Sequence, residues 1–128
     1  MQNLKTLAVM AALGAGMLLS AAAQAHPKLL SSSPAEGSVV EAPAKIELHF
    51  SETLMTQLSG AKLVMTEMPG MSHSSPMGVK VAVSGSADPK VMLITPAAPL
   101  TTGTYKVQWR AVSSDTHPIT GDVTFKVK

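Results

Sequence analysis

Met65, Met68, Met71, His73 and Met77 write the pattern M-x-x-M-x-x-M-x-H-x-x-x-M. A thioether is a soft, neutral donor that suits Cu(I), binds Zn(II) poorly and leaves Ca(II) untouched. Several such sulfurs converging with an imidazole select a soft monovalent ion, and reduced copper fits that description. A second group, His26, Asp115 and His117, has the opposite character. Its imidazole nitrogens and carboxylate oxygen suit a tetragonal Cu(II) plane. Asp115 and His117 stand two residues apart just after a strand pattern, so an extended backbone would point both the same way. Glu52 is a candidate for a weaker or axial oxygen, and His49 reads as structural.

His26 gains weight from the residues before it. Lys5, an apolar run from Leu7 to Leu19 and the small-residue signature Ala23-Gln24-Ala25 form the pattern of an export signal cut before His26. The apolar run is short of the roughly 20 residues that a spanning helix needs, and Gly14 and Gly16 interrupt it. The reading is therefore a cleaved signal peptide over residues 1–25, a soluble mature domain over 26–128 with no membrane span, and a periplasmic destination. A chain beginning at His26 carries a free α-amine beside its imidazole, and the two nitrogens close a six-membered chelate ring on one metal ion. Pro27 has no amide N–H and offers no deprotonated backbone nitrogen as a rival donor. Amine, two imidazoles and a carboxylate then make four donors.

Each group also has a plainer reading. Methionines fill cores, and Met65 alternates with Leu63 as an inward-facing strand residue would. Met68, Met71 and Met77 lie among Pro69, Gly70, Ser72, Ser74, Ser75 and Pro76, a turn-forming context that builds no core and favours ligands. A methionine-rich loop also serves as a protein-contact patch or an oxidant scavenger. Asp115-Thr116-His117-Pro118 is a good turn sequence in its own right.

The elements that must position these groups read as all-β. Short segments rich in Val, Ile, Leu and Thr recur between Pro, Gly, Ser and Asp clusters, without sustained helical periodicity. Candidate strands cover 28–33, 45–50, 61–68, 79–84, 91–95, 104–113 and 122–127. Ile46, Leu48 and Phe50 alternate with Glu47 and His49, and Val107, Trp109 and Ala111 alternate with Lys106, Gln108 and Arg110. About seven short strands suggest an immunoglobulin-like Greek-key sandwich or barrel. The stretch from Leu100 to Tyr105 is similar to a tyrosine corner. Residues 51–59 leave room for a helical turn, and 69–76 and 84–89 read as turn-rich loops.

Strand parity gives a geometric expectation. With consecutive strands alternating in direction, His26, Glu52, Asp115 and His117 reach one end of the domain. The methionine loop, between the third and fourth strands, reaches the other, roughly 20 to 30 Å away at about 3.3 Å per residue.

Composition narrows the class. Removing 25 of 128 residues leaves 103, enough for one compact domain. The formal charge of +2 includes Lys5, and the remaining charges are scattered, which favours neither nucleic acid nor an anionic membrane surface. With no cysteine, the exported domain must hold together by packing and hydrogen bonds.

From His26-Pro27-Lys28 through the methionine pattern to Ser113-Ser114-Asp115-Thr116-His117-Pro118, the chain closely resembles the CopC/PcoC copper-resistance proteins. The resemblance implies a periplasmic β-barrel or sandwich with a Cu(II) site at the amino-terminal histidine and a methionine-rich Cu(I) site at the far end. It implies Cu(II) bound by the amine and side chain of His26 with Asp115 and His117, with Glu52 where some members place a further acidic group. It implies Cu(I) bound from among Met65, Met68, Met71, His73 and Met77, although Ser74-Ser75 alters the loop length relative to some members. Partners implied are a periplasmic multicopper oxidase and an inner-membrane copper transporter. The expected function is a copper carrier and sequestering protein without turnover. The rival from another class is a lytic monooxygenase with a histidine brace. Against it stand the Asp115 carboxylate, at a position that oxygen needs, and one Trp, one Tyr and two Phe, too few for a polysaccharide platform. A β-sandwich adhesion module with incidental histidines is the third reading.

Overall fold

A computed structural model describes residues 26–128, and the side chains of residues 72–74 are outside what it describes. The expected signal segment, 1–25, lies outside the described residues. Nine strands form two sheets: β1 (Leu29–Ser33), β2 (Val39–Val40), β3 (Ile46–Phe50), β4 (Gly60–Met68), β5 (Met71–Val79), β6 (Val81–Gly85), β7 (Val91–Pro96), β8 (Gly103–Val112) and β9 (Pro118–Val127). One sheet runs β1-β3-β7-β6 and the other β2-β9-β8-β4-β5. Neighbours pair antiparallel except the short β2, which lies parallel to β9.

The two-residue alternation drives this arrangement, because each strand buries one face only. Ile46, Leu48 and Phe50 from β3 meet Tyr105, Val107, Trp109 and Ala111 from β8, all buried between the sheets. Phe50 and Trp109 bridge the layers edge to face at 5.1 Å, and Tyr105 stacks on Phe125 at 5.7 Å. The Tyr105 hydroxyl donates to the Thr101 carbonyl at 2.6 Å, so the stretch does form a tyrosine corner. Between β3 and β4, the amides of Leu58 and Ser59 both donate to the Met55 carbonyl, forming a single helical turn.

Several boundaries differ from the sequence expectation, and the candidate strand 79–84 divides between the end of β5 and β6. The tiny β2 has no counterpart among the candidate strands, and β9 starts at Pro118 rather than Asp122. The stretch 69–76 is not a long loop. Met68-Pro69-Gly70-Met71 makes a tight hairpin, with Gly70 at φ 75 in the place where a type II turn requires positive φ. The chain then returns as β5 at the edge of the sheet. Pro76 is tolerated there because an edge strand need not offer every N–H to a partner.

Candidate metal centre

His26 is held in place by the two residues after it. Pro27 is buried, and Lys28 is latched to Ser51 through both backbone groups: its amide donates to Ser51 Oγ at 2.9 Å and its carbonyl accepts from the Ser51 amide at 2.9 Å. The β3–β4 connection is in turn tied to the end of β8. Met55 N–H donates to the Val112 carbonyl at 2.7 Å, and Val112 N–H donates to Ser59 Oγ at 3.0 Å. The chain leaving β8 through 113–117 therefore emerges beside His26.

There the Asp115 carboxylate meets both imidazoles. Its Oδ2 lies 2.7 Å from His26 Nδ1 and 3.9 Å from His117 Nδ1, and the two rings are 6.0 Å apart between centroids. One ligand-type atom from each residue falls within 4.8 Å of the others, a spacing that a single metal ion can span. The side chains of His26 and His117 are 59% and 74% exposed while that of Asp115 is 19% exposed, so the carboxylate forms the floor and the imidazoles the open walls. Partial desolvation pushes the Asp115 carboxyl upward. Hydrogen bonds from the His117 amide and the Ser113 hydroxyl, and the fields of His26 and His117, outweigh it and hold the group below the ordinary aspartate value. Nδ1 is the imidazole nitrogen able to close a six-membered ring with an α-amine on the same residue, and it is the one that His26 turns toward Asp115.

Glu52 sits on the same rim, sharing a shallow cleft with Ser113, Ser114 and Thr116, but it does not join the three-residue group. His49 faces outward from β3, with its Nε2 3.7 Å from Glu47 Oε2. Asp115 and His117 do converge, though not by an extended backbone. Thr116 takes φ 63, its amide donates to the Ser113 carbonyl at 2.9 Å, and the loop is a turn.

At the other end, a bulge sets the methionines. Met65 pairs with Tyr105 and Glu67 with Thr104, so Thr66 is the extra residue and the facing of the chain reverses. Glu67 is thereby placed outward and Met68 inward, where Met68 packs against the core rather than standing outside it as its turn-rich context suggests. Opposed residues of an antiparallel pair project to one side. Met65 faces Met77 and Met68 faces Met71, so all four methionines share one face at the sheet edge. Met65 is buried, Met68 half-buried, and Met71 and Met77 exposed. His73 lies on β5 where four residues, 73–76, bulge between the Met65–Met77 and Glu67–Ser72 pairs. The hairpin lies beside the start of β8 and the imidazoles lie beyond its end, ten residues or about 30 Å apart.

Residues 29–128 match the CopC domain model. The chain belongs to the CopC domain family. Copper resistance protein C of Pseudomonas syringae pv. tomato is 80% identical over 114 residues, covering 89% of this chain and 90% of that protein. Copper resistance protein C of Escherichia coli is 58% identical over 120 residues, covering 92% and 95%. The crystal structure of PcoC, a methionine-rich copper resistance protein from Escherichia coli, superposes with a TM-score of 0.75 at 59% identity, covering 81% of this chain and 100% of that one.

Sequence reasoning missed two residues of this CopC domain. Ser113, at 2% exposure, donates from Oγ to Asp115 Oδ1 at 3.2 Å. Thr116 supplies the left-handed residue of the turn. The signal for the first was a serine closing an alternating strand two residues before a carboxylate. For the second there was none, since threonine rarely adopts positive φ.

Proposed function

We propose that this CopC-domain protein is a periplasmic copper carrier of a copper-resistance system, holding Cu(II) at His26, Asp115 and His117 and Cu(I) at the methionine edge. The observation that carries the reading is the convergence of Asp115 Oδ2 with His26 Nδ1 and His117 Nδ1 at the residue directly after the Ala23-Gln24-Ala25 signature. Cleavage there adds the α-amine as a fourth donor. The relatives named Copper resistance protein C support copper as the cargo.

Chemistry divides the ends. The His26 end offers only nitrogen and oxygen, which favour Cu(II), while Met65, Met68, Met71 and Met77 present thioethers on one face, which favour Cu(I). Exposed Met71 and Met77 leave that end open for an incoming or departing ion, and Met65 and Met68 form its packed wall. His73 completes the soft set as its imidazole member, and Glu52 stands by as a weaker oxygen donor on the Cu(II) rim. Copper is held and handed on without turnover, to the oxidase and transporter that the family resemblance implies. The carboxylate within hydrogen-bond distance of His26 favours a carrier over the monooxygenase, whose brace uses two histidines and leaves its remaining positions to oxygen.

The test is titration of the chain beginning at His26 with Cu(II) and, under reductant, with Cu(I), each against a competing chelator. One equivalent of each is expected. Adding one residue before His26 should sharply weaken Cu(II) while sparing Cu(I), and replacing Met68, Met71 and Met77 together should do the reverse. Undiminished Cu(II) affinity in the extended chain would refute the role of the amine. Mass spectrometry of exported protein should find His26 first.

A further inference from the structure

The two oxygens of Asp115 have different occupations. Oδ1 accepts from Ser113 Oγ at 3.2 Å and from the His117 amide at 3.2 Å, whereas Oδ2 faces His26 and His117. We infer that Ser113 and Thr116 are positioning residues for the Cu(II) end: together they sort the Asp115 oxygens so that one is bound to the loop and one is presented to the metal. The inference rests on the reading of His26, Asp115 and His117 as ligands.

A carboxylate on a free side chain rotates about its last bond and presents either oxygen, or both. Two donors on Oδ1 remove that freedom. Ser113 is an effective clamp because it is buried and its backbone is held: its carbonyl accepts from the Thr116 amide at 2.9 Å. The His117 amide reaches Oδ1 because Thr116 turns left-handed, and Thr116 Oγ1 donates to the Asp115 carbonyl at 2.7 Å. A β-branched residue at positive φ is unfavourable by itself and persists where the surroundings impose it, which is common where a side chain must be aimed. Residues that hydrogen-bond to a ligating carboxylate orient it, and their removal typically costs about 10- to 100-fold in metal affinity.

The test uses the chain beginning at His26 with copper(II) chloride against a competing chelator, together with the electron paramagnetic resonance spectrum of the bound ion. Ser113→Ala should weaken Cu(II) binding by roughly 10- to 100-fold and alter the spectrum. Ser113→Thr, which keeps the hydroxyl, should restore both. In an Asp115→Ala background Ser113→Ala should cost nothing further; an equal cost in both backgrounds shows a merely structural serine and overturns the inference. Thr116 gives an independent arm on the exposed turn, which survives even where loss of a buried serine prevents folding. Thr116→Gly adopts positive φ freely and should bind as the parent does, whereas Thr116→Pro cannot adopt it, lacks the N–H to Ser113, and should lose affinity. Equal behaviour of the glycine and proline variants overturns the role of Thr116. Parent protein that binds Cu(II), with Ser113→Ala and Thr116→Pro unchanged, defeats this inference alone; parent protein that binds none defeats the underlying ligand reading with it.

Discussion

Asp115 is pulled in two directions, upward by partial burial and downward by the His117 amide, the Ser113 hydroxyl and two imidazole neighbours, and the downward influences win. Its folded pKa therefore lies below the ordinary aspartate value, to which the group returns in the unfolded chain. Between the two values the unfolded state binds more protons, so the contribution of Asp115 is complete above the unfolded value and is lost as pH falls through the folded one. Urea unfolding of the metal-free chain across the acid range should show Asp115→Asn flattening that limb. The same variant should weaken Cu(II) by at least about tenfold, the lower bound for disturbing such a centre, in chelator competition near neutral pH. An acid limb identical to that of the parent would mean that the carboxylate is not held as described. The identity of Asp115 and His117 as a pair was legible from their i, i+2 spacing; the turn that brings them together was not, because a left-handed threonine leaves no mark in composition.

Among the elements, the β4–β5 hairpin depends on a glycine in the neighbouring strand. A Cβ on Gly103 would lie 2.6 Å from the Glu67 carbonyl oxygen and 3.4 Å from Met65 Cε, so the bulge that turns Met68 inward relies on close approach at that point. Gly103→Ala should cost about 1–3 kcal/mol in thermal unfolding and weaken Cu(I) while leaving Cu(II) alone. A variant that loses stability with Cu(I) binding intact would separate the bulge from the methionine set. Tyr105→Phe removes the donor to the Thr101 carbonyl at the same end. It should cost roughly 1–3 kcal/mol of stability, read by the same melts, with both copper affinities preserved. Strands such as β3 and β8 were readable because half-burial writes alternation directly into them. β5 was not, because an edge strand with one exposed face, Pro76, Gly78 and several serines has the composition of a loop and buries too little to impose a pattern. The Pro69-Gly70 pair marked the turn, and only pairing with β4 shows how short that turn is.

On the scale of the whole molecule, the question is whether the two ends sense each other. Charges of two and one held about 30 Å apart repel by only about 0.3 kcal/mol at the dielectric constant of water, under a twofold change in affinity. Salt with a Debye length near 10 Å at about 0.1 M removes most of that. No strand or loop among the described residues carries candidate ligands for both ends: His26 and the 113–117 turn flank β1 and β8, and the methionines belong to β4 and β5. The sandwich core between them is continuous and packed, with Phe50 on Trp109 toward one end and Tyr105 on Phe125 toward the other. Occupancy of one end therefore has no evident route to the other, and binding should be additive. Silver(I), a soft monovalent ion with no redox exchange under these conditions, can fill the methionine end while Cu(II) is titrated at the histidine end. The expected result is a Cu(II) affinity within about twofold of that of the silver-free chain, and the same constancy when Met68, Met71 and Met77 are replaced by leucine. Mutual displacement of the two ions would mean that they share ligands, which a separation set by the length of β8 does not allow.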